Sequence, residues 1–167
     1  MHFPLRFPLR LSQQCALPPA SSAKLQALLP ASTVRGWVQM AVNGNVDPQD
    51  EADSVALTLR WVGQAEGRSL NHTHRGQGVD KDYATNVLTF AYGVEGGVLS
   101  ADIVLCWPVL LAEAKTQGKP PKDHAAHLII HGVLHALGFD HEAEDEALAM
   151  ETLETQLLAR LKIADPY

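Results

Sequence analysis

Three observations predict an α/β (α+β) fold: a single domain, residues 1–167, with a mixed sheet of about four strands and about five packed helices, one of them central. A length of 167 residues suits one domain with a substantial core. Strand-like runs fall mostly before Cys106, interleaved with stretches whose apolar residues repeat at helical spacing. The earliest strand-like run, residues 5–13, contains Pro8, and proline confines a strand to a sheet edge; an early edge strand favours a mixed sheet.

A loop over residues 17–22 ends that strand. Between 22 and 42, Leu25, Leu28, Leu29, Val34, Trp37, Val38 and Ala41 outline one or two helices, with a break or restart at Pro30. Residues 43–51 form a loop by their turn residues, and 55–62 alternate as a strand. A short helix over 64–74 turns Leu70 inward. Residues 86–92 and 98–106 are two further strands, rich in β-branched and aromatic residues, around the glycine-rich turn 93–97. Asp102 interrupts the second strand's apolar pattern, either marking a cleft or bonding to backbone at a strand end. Residues 107–116 suit a helix ended by Gly118. Pro120 and Pro121 cannot continue a helix interior, so the next helix starts after them with Asp123 as its N-cap. Residues 142–161 form an amphipathic helix, with Leu148, Met150, Leu153, Leu157, Leu158 and Leu161 packed inward and Glu142, Glu144 and Glu146 solvated.

The chemistry concentrates in His131-Gly-Val-Leu-His135-Ala-Leu-Gly138-Phe-Asp-His141. In the run 123–137, Ala126, Leu128, Ile129, Ile130, Val133, Leu134 and Leu137 suit a buried helix. On a helix, residues four apart share a face, so the imidazoles of His131 and His135 converge on one point. Gly138 stands where a helix would end and lets the chain turn sharply, bringing His141 back. His127 extends the row, but at 1.5 Å rise per residue it lies roughly 12 Å from His135, too far to share one ion. The expected ligands are therefore His131, His135 and His141, with His127 beside the site. Three neutral nitrogens leave a tetrahedral position for water, the mark of a catalytic zinc site. The helical metalloprotease motif places a glutamate after its first histidine, and here that position is Gly132. Asp140, next to a ligand, is placed to orient an imidazole or assist proton transfer.

This motif resembles the signature of the YbeY family of bacterial metal-dependent endoribonucleases. Asn71-His-Thr-His-Arg75-Gly, Ala84-Thr-Asn-Val-Leu-Thr-Phe90, Ala101-Asp-Ile-Val-Leu-Cys106 and Gln117-Gly-Lys-Pro120 resemble further family segments, so the likeness spans roughly residues 57–161. It departs at Ala101, where the family usually has glycine, and in the loop 76–82, which looks longer than usual. The resemblance implies a sheet with one antiparallel strand and a zinc-dependent nuclease specific for single strands, with one zinc ion per chain. It also implies work in 16S rRNA 3′-end maturation and ribosome quality control, with rRNA and the small ribosomal subunit or its proteins as partners. Arg75 matches the family's functional arginine, and a guanidinium offers a phosphate a planar fork of donors. The polar residues before it, Arg68, His72 and His74, with Arg60 and Lys81 nearby, also suit a plain solvated surface. Two other readings stay open: a zinc hydrolase of peptides or small molecules, and a non-catalytic ribosome-associated factor whose zinc only ties the structure together.

A formal charge of −6 argues against binding nucleic acid by bulk electrostatics, so RNA contact must be local, and DNA is not an expected partner. Cys15 and Cys106 lie far apart with no paired spacing, which suits a reducing cytoplasm. No run has the length of a signal peptide's apolar region or of a membrane span, and the expectation is a soluble cytoplasmic protein.

Overall fold

The structure, a computed structural model, describes residues 6–74, 85–140 and 142–167. Its frame is a four-stranded sheet with strands β1 (Leu9–Ala16), β2 (Ser54–Val62), β3 (Val87–Glu95) and β4 (Val98–Cys106), in the order β1-β2-β4-β3. β1 is parallel to β2 and β2 to β4, while β3 pairs antiparallel with β4 as a hairpin. The sheet is mixed, as expected, but through β3 rather than through the early edge strand. That first strand begins later than expected, after Pro8, whose carbonyl accepts the Val55 N–H at 2.9 Å. β3 runs on to Glu95 with a register shift between Ala91 and Gly93, which shortens the expected glycine-rich turn.

Alternation along β2 and β4 sends Leu57, Leu59, Trp61, Leu99, Ala101, Ile103 and Leu105 into the main core. Two helices precede residue 43, α1 (Pro19–Leu28), which begins inside the expected loop 17–22, and α2 (Ala31–Val42); they are separated at Pro30 because proline cannot sit inside a helix. That split brings the count to six α-helices among the described residues, where about five were expected. α3 (Gln64–His74) lies on the other face, where Leu70 packs against Val62, Leu88, Val104 and Cys106. α4 (Trp107–Gln117) ends at Gly118, whose φ of 66° is the left-handed cap conformation.

α5 (Pro121–Ala136) is the central helix, packed against β3, β4, α2, α4 and α6. It starts two residues before the expected cap. Pro121 occupies the first helical position, where the missing N–H has no intrahelical role, so Asp123 lies in the first turn and not at the cap. All seven apolar residues that suggested a buried helix are buried. The half-exposed positions in its last three turns are His127, His131 and His135, so the row of imidazoles lies along the helix's opening to solvent. α6 (Glu144–Arg160) buries Met150, Leu157 and Leu158 as expected, but Leu148 is 66% exposed. Among the described residues no helix is long and apolar enough to cross a membrane.

Gly132 marks where α5 comes closest to the sheet. A Cβ there would lie 2.9 Å from Ile103 Cγ2 and 3.3 Å from Val87 Cγ2, and the Gly132 carbonyl accepts a bond from Thr89 Oγ1 at 3.2 Å. Ile103 is fully buried and cannot swing aside. Gly132→Val should therefore lower stability by about 1–3 kcal/mol through overpacking, despite valine's better helix propensity. The urea midpoint measures this, and an unchanged midpoint would show that helix and sheet are not in close contact there.

Candidate metal centre

The end of α5 prepares His135. Phe139 N–H bonds to the Leu134 carbonyl and Gly138 N–H to the His135 carbonyl, both at 3.0 Å, a Schellman turn in which Gly138 takes φ 105°. Half-buried Phe139 packs on the core, and the turn points its carbonyl back at the helix. His135 Nδ1 lies 2.9 Å from that carbonyl oxygen. A carbonyl only accepts, so Nδ1 carries the proton, and in the neutral ring Nε2 keeps its lone pair.

His131 is held in the same sense by a different group. Its Nδ1 lies 2.5 Å from Oε1 of Glu154, a fully buried residue of α6. The Tyr167 hydroxyl donates to the other carboxylate oxygen, and His127 Nε2 lies 3.3 Å from it. Burial alone would raise the Glu154 pKa, but hydrogen bonds with His127, His131 and Tyr167 more than offset it and hold the group down at about 2. It is a carboxylate at neutral pH, so it accepts from His131 Nδ1–H, and in the neutral ring Nε2 then keeps its lone pair. The Tyr167 phenol is pushed up by burial and by the adjacent carboxylate, and so keeps the proton it donates.

Both lone-pair nitrogens then face each other, with His131 Nε2 and His135 Nε2 only 3.1 Å apart. A proton shared between the two rings or a metal ion bound to both nitrogens fits that separation. Bonds of 2.0–2.1 Å in a tetrahedron put neighbouring ligand nitrogens about 3.3 Å apart, close to the separation found. A second group, His127, His131 and Glu154, has ligand atoms within 4.8 Å of one another and is also able to hold a metal ion. There the 2.5 Å between His131 Nδ1 and Glu154 Oε1 is shorter than the roughly 3.3 Å between ligand atoms on a tetrahedral ion, so an ion bound to both would have to part them.

Arg75 and His141, both expected in the site, lie outside the described residues, as do Lys81 and the loop 76–82. Asp140 is exposed next to Phe139. Asp102 accepts the Tyr92 hydroxyl at 2.6 Å, so its partner is a side chain rather than backbone. It lines a cavity of about 470 Å³ with Thr58, Arg60, Leu70 and Phe90. Arg60 in that cavity is paired with Glu66 through contacts of 2.7 and 3.1 Å. Arg68 and His72 on α3 are exposed, as are Glu142, Glu144 and Glu146. Cys106 is buried, and burial raises its thiol pKa, which suits neither a ligand nor a nucleophile. The sequence reading passed over Glu154, although a carboxylate four residues from both Met150 and Leu158 stands on the helix's apolar stripe. It also missed the pair of buried His124 with Glu113 at 2.9 Å, which ties α5 to α4.

Fold and site together describe a mixed α/β protein with a histidine centre suited to a metal ion. Residues 21–162 match the family described as Endoribonuclease YbeY. The chain is 54% identical over 143 residues to the Endoribonuclease YbeY of Bordetella pertussis, covering 84% of this chain and 88% of the relative. It is 49% identical over 143 residues to that of Paraburkholderia phytofirmans, covering 85% of each, and 50% identical over 149 residues to that of Aromatoleum aromaticum, covering 89% and 88%. The chain belongs to the YbeY endoribonuclease family.

Cobalt titration of metal-stripped protein separates the two candidate ion positions. His135→Ala should abolish the visible absorption of bound cobalt, whereas His127→Ala should retain it. The reverse pattern would place the ion among His127, His131 and Glu154.

Proposed function

We propose that this chain is a zinc-dependent endoribonuclease that cuts single-stranded RNA, with one ion held by His131, His135 and His141. The observation that carries the reading is the facing pair of Nε2 atoms, each left as an acceptor by the hydrogen bond of its own Nδ1. Nitrogen donors suit zinc, and three of them leave a position open to water. When bound, the ion supplies a water of lowered pKa and a Lewis acid for the scissile phosphate. Arg75, which directly follows α3, holds the phosphate through its guanidinium and stabilises the charge that develops on it. The names of the relatives support RNA as substrate. Locally concentrated positive charge would let a chain of net charge −6 bind a polyanion.

Hydrolysis of peptides is the weaker assignment. Where helical metalloproteases carry their general base, this chain has Gly132, and that position is closed by Ile103 and Val87 of the sheet. A glutamate could not be accommodated there without moving the helix.

In the cell, this reading places the enzyme in the cytoplasm at the 3′ end of 16S rRNA, in maturation and ribosome quality control, with the small ribosomal subunit or its proteins as partners. The whole chain then acts as one metallohydrolase domain.

The test is cleavage of a labelled single-stranded RNA beside its duplex form. Wild type with bound zinc should cut only the single strand, and His135→Ala should not cut at all. Arg75→Ala should keep its zinc and lose roughly 100- to 1,000-fold in kcat, the usual loss for a donor to a transition-state oxyanion. Equal cutting by wild type and metal-stripped protein would contradict the reading, and an unchanged rate in Arg75→Ala would remove that residue from the mechanism.

A further inference from the structure

The segment after α6 is built to reach the metal centre. Lys162, at φ 60°, reverses the chain; its N–H bonds to the Ala159 carbonyl and that of Ile163 to the Leu158 carbonyl, each at 3.0 Å. Ile163 then packs on the main core. The Asp165 carboxylate accepts the Tyr167 N–H at 2.9 Å, which fixes the direction in which the tyrosine leaves the chain. The ring of Tyr167 stands edge-on to His127, with centroids 5.6 Å apart, and its hydroxyl meets Glu154. Although 58% of Tyr167 is exposed, its polar end is spent on a fully buried carboxylate.

A buried carboxylate with one oxygen on a ligand imidazole and the other gripped elsewhere is a means of orienting that imidazole. The Glu154 side chain enters from α6, across the helix interface, and with one oxygen on His131 its other oxygen, buried away from water, needs a donor of its own. Tyr167 and His127 supply it and so fix the orientation of the carboxylate. A carboxylate acceptor on the far nitrogen also makes the imidazole a better electron donor.

We propose that Glu154 and Tyr167 are positioning residues that lock His131 with its proton on Nδ1 and Nε2 aimed at the ion, so that the segment 161–167 sets the metal affinity of the site. The proposal rests on the reading of His131 as a ligand. It assigns to Tyr167, 36 residues away in sequence by its number, the task of orienting Glu154 rather than touching the ion.

The experiment uses the full chain in two measurements. Long-range proton–nitrogen correlation spectra of the metal-stripped wild type should show His131 as the Nδ1–H tautomer. Zinc affinity, read by competition with a chelator, should fall about 10- to 100-fold in Glu154→Gln, the usual effect of losing such a partner. It should fall by a smaller factor in Tyr167→Phe, which removes one oxygen from a largely exposed ring and should leave the fold and its circular dichroism intact. Wild-type zinc affinity in both variants, or an Nε2–H tautomer of His131 in the wild type, would overturn the proposal. RNA cleavage is in neither readout. If the assignment as a nuclease fails while the tautomer and the affinities come out as stated, the positioning role stands without it.

Discussion

Two imidazoles one helical turn apart, with their Nε2 atoms 3.1 Å from each other, form the arrangement that much of the structure serves to hold. His135 is set by a backbone carbonyl that the turn at Gly138 brings round, and His131 by a carboxylate delivered from α6. The helix that carries both is packed on the sheet and on three neighbouring helices, so its register cannot drift to separate them. The stability of the core thus holds the two imidazoles close together.

The same packing explains what the site lacks. A helix close enough to the sheet to be buried on nearly every side needs a small residue at its point of contact, and Gly132 meets that need. The general base of the helical metalloproteases has no room at that position. On the proposed reading, catalytic power comes from the ion and from charged groups on other segments, which suits a phosphodiester, whose transition state is stabilised chiefly by positive charge.

The sequence revealed those parts of the protein whose signal is periodic or local. Alternation in 55–62 and the continuous apolar run around His131 gave β2 and α5 their places, and helical spacing alone brought His131 and His135 together. Local rules misjudged details settled by tertiary context. Asp123 has the chemistry of a cap, but Pro121 starts the helix; Leu148 fits the apolar stripe of α6, yet it is 66% exposed while Met150, two residues on, is buried. Strand direction was legible only as a mixed sheet, because no local pattern shows which strand runs the other way. Glu154 looked like one more acid of an acidic helix, and its role depends on which helix lies opposite. Tyr167 gave no signal at all: a tyrosine after a proline means nothing until the chain is folded back.

The central claim is that an ion sits between His131 and His135 on their Nε2 atoms. The most direct measurement is a crystal structure of the zinc-loaded protein with anomalous diffraction at the zinc edge. The account predicts one strong peak about 2 Å from Nε2 of both residues, with His131 Nδ1 still on Glu154. A peak bonded to Glu154 and His131 Nδ1, or no peak near either imidazole in protein that retains zinc, would contradict it.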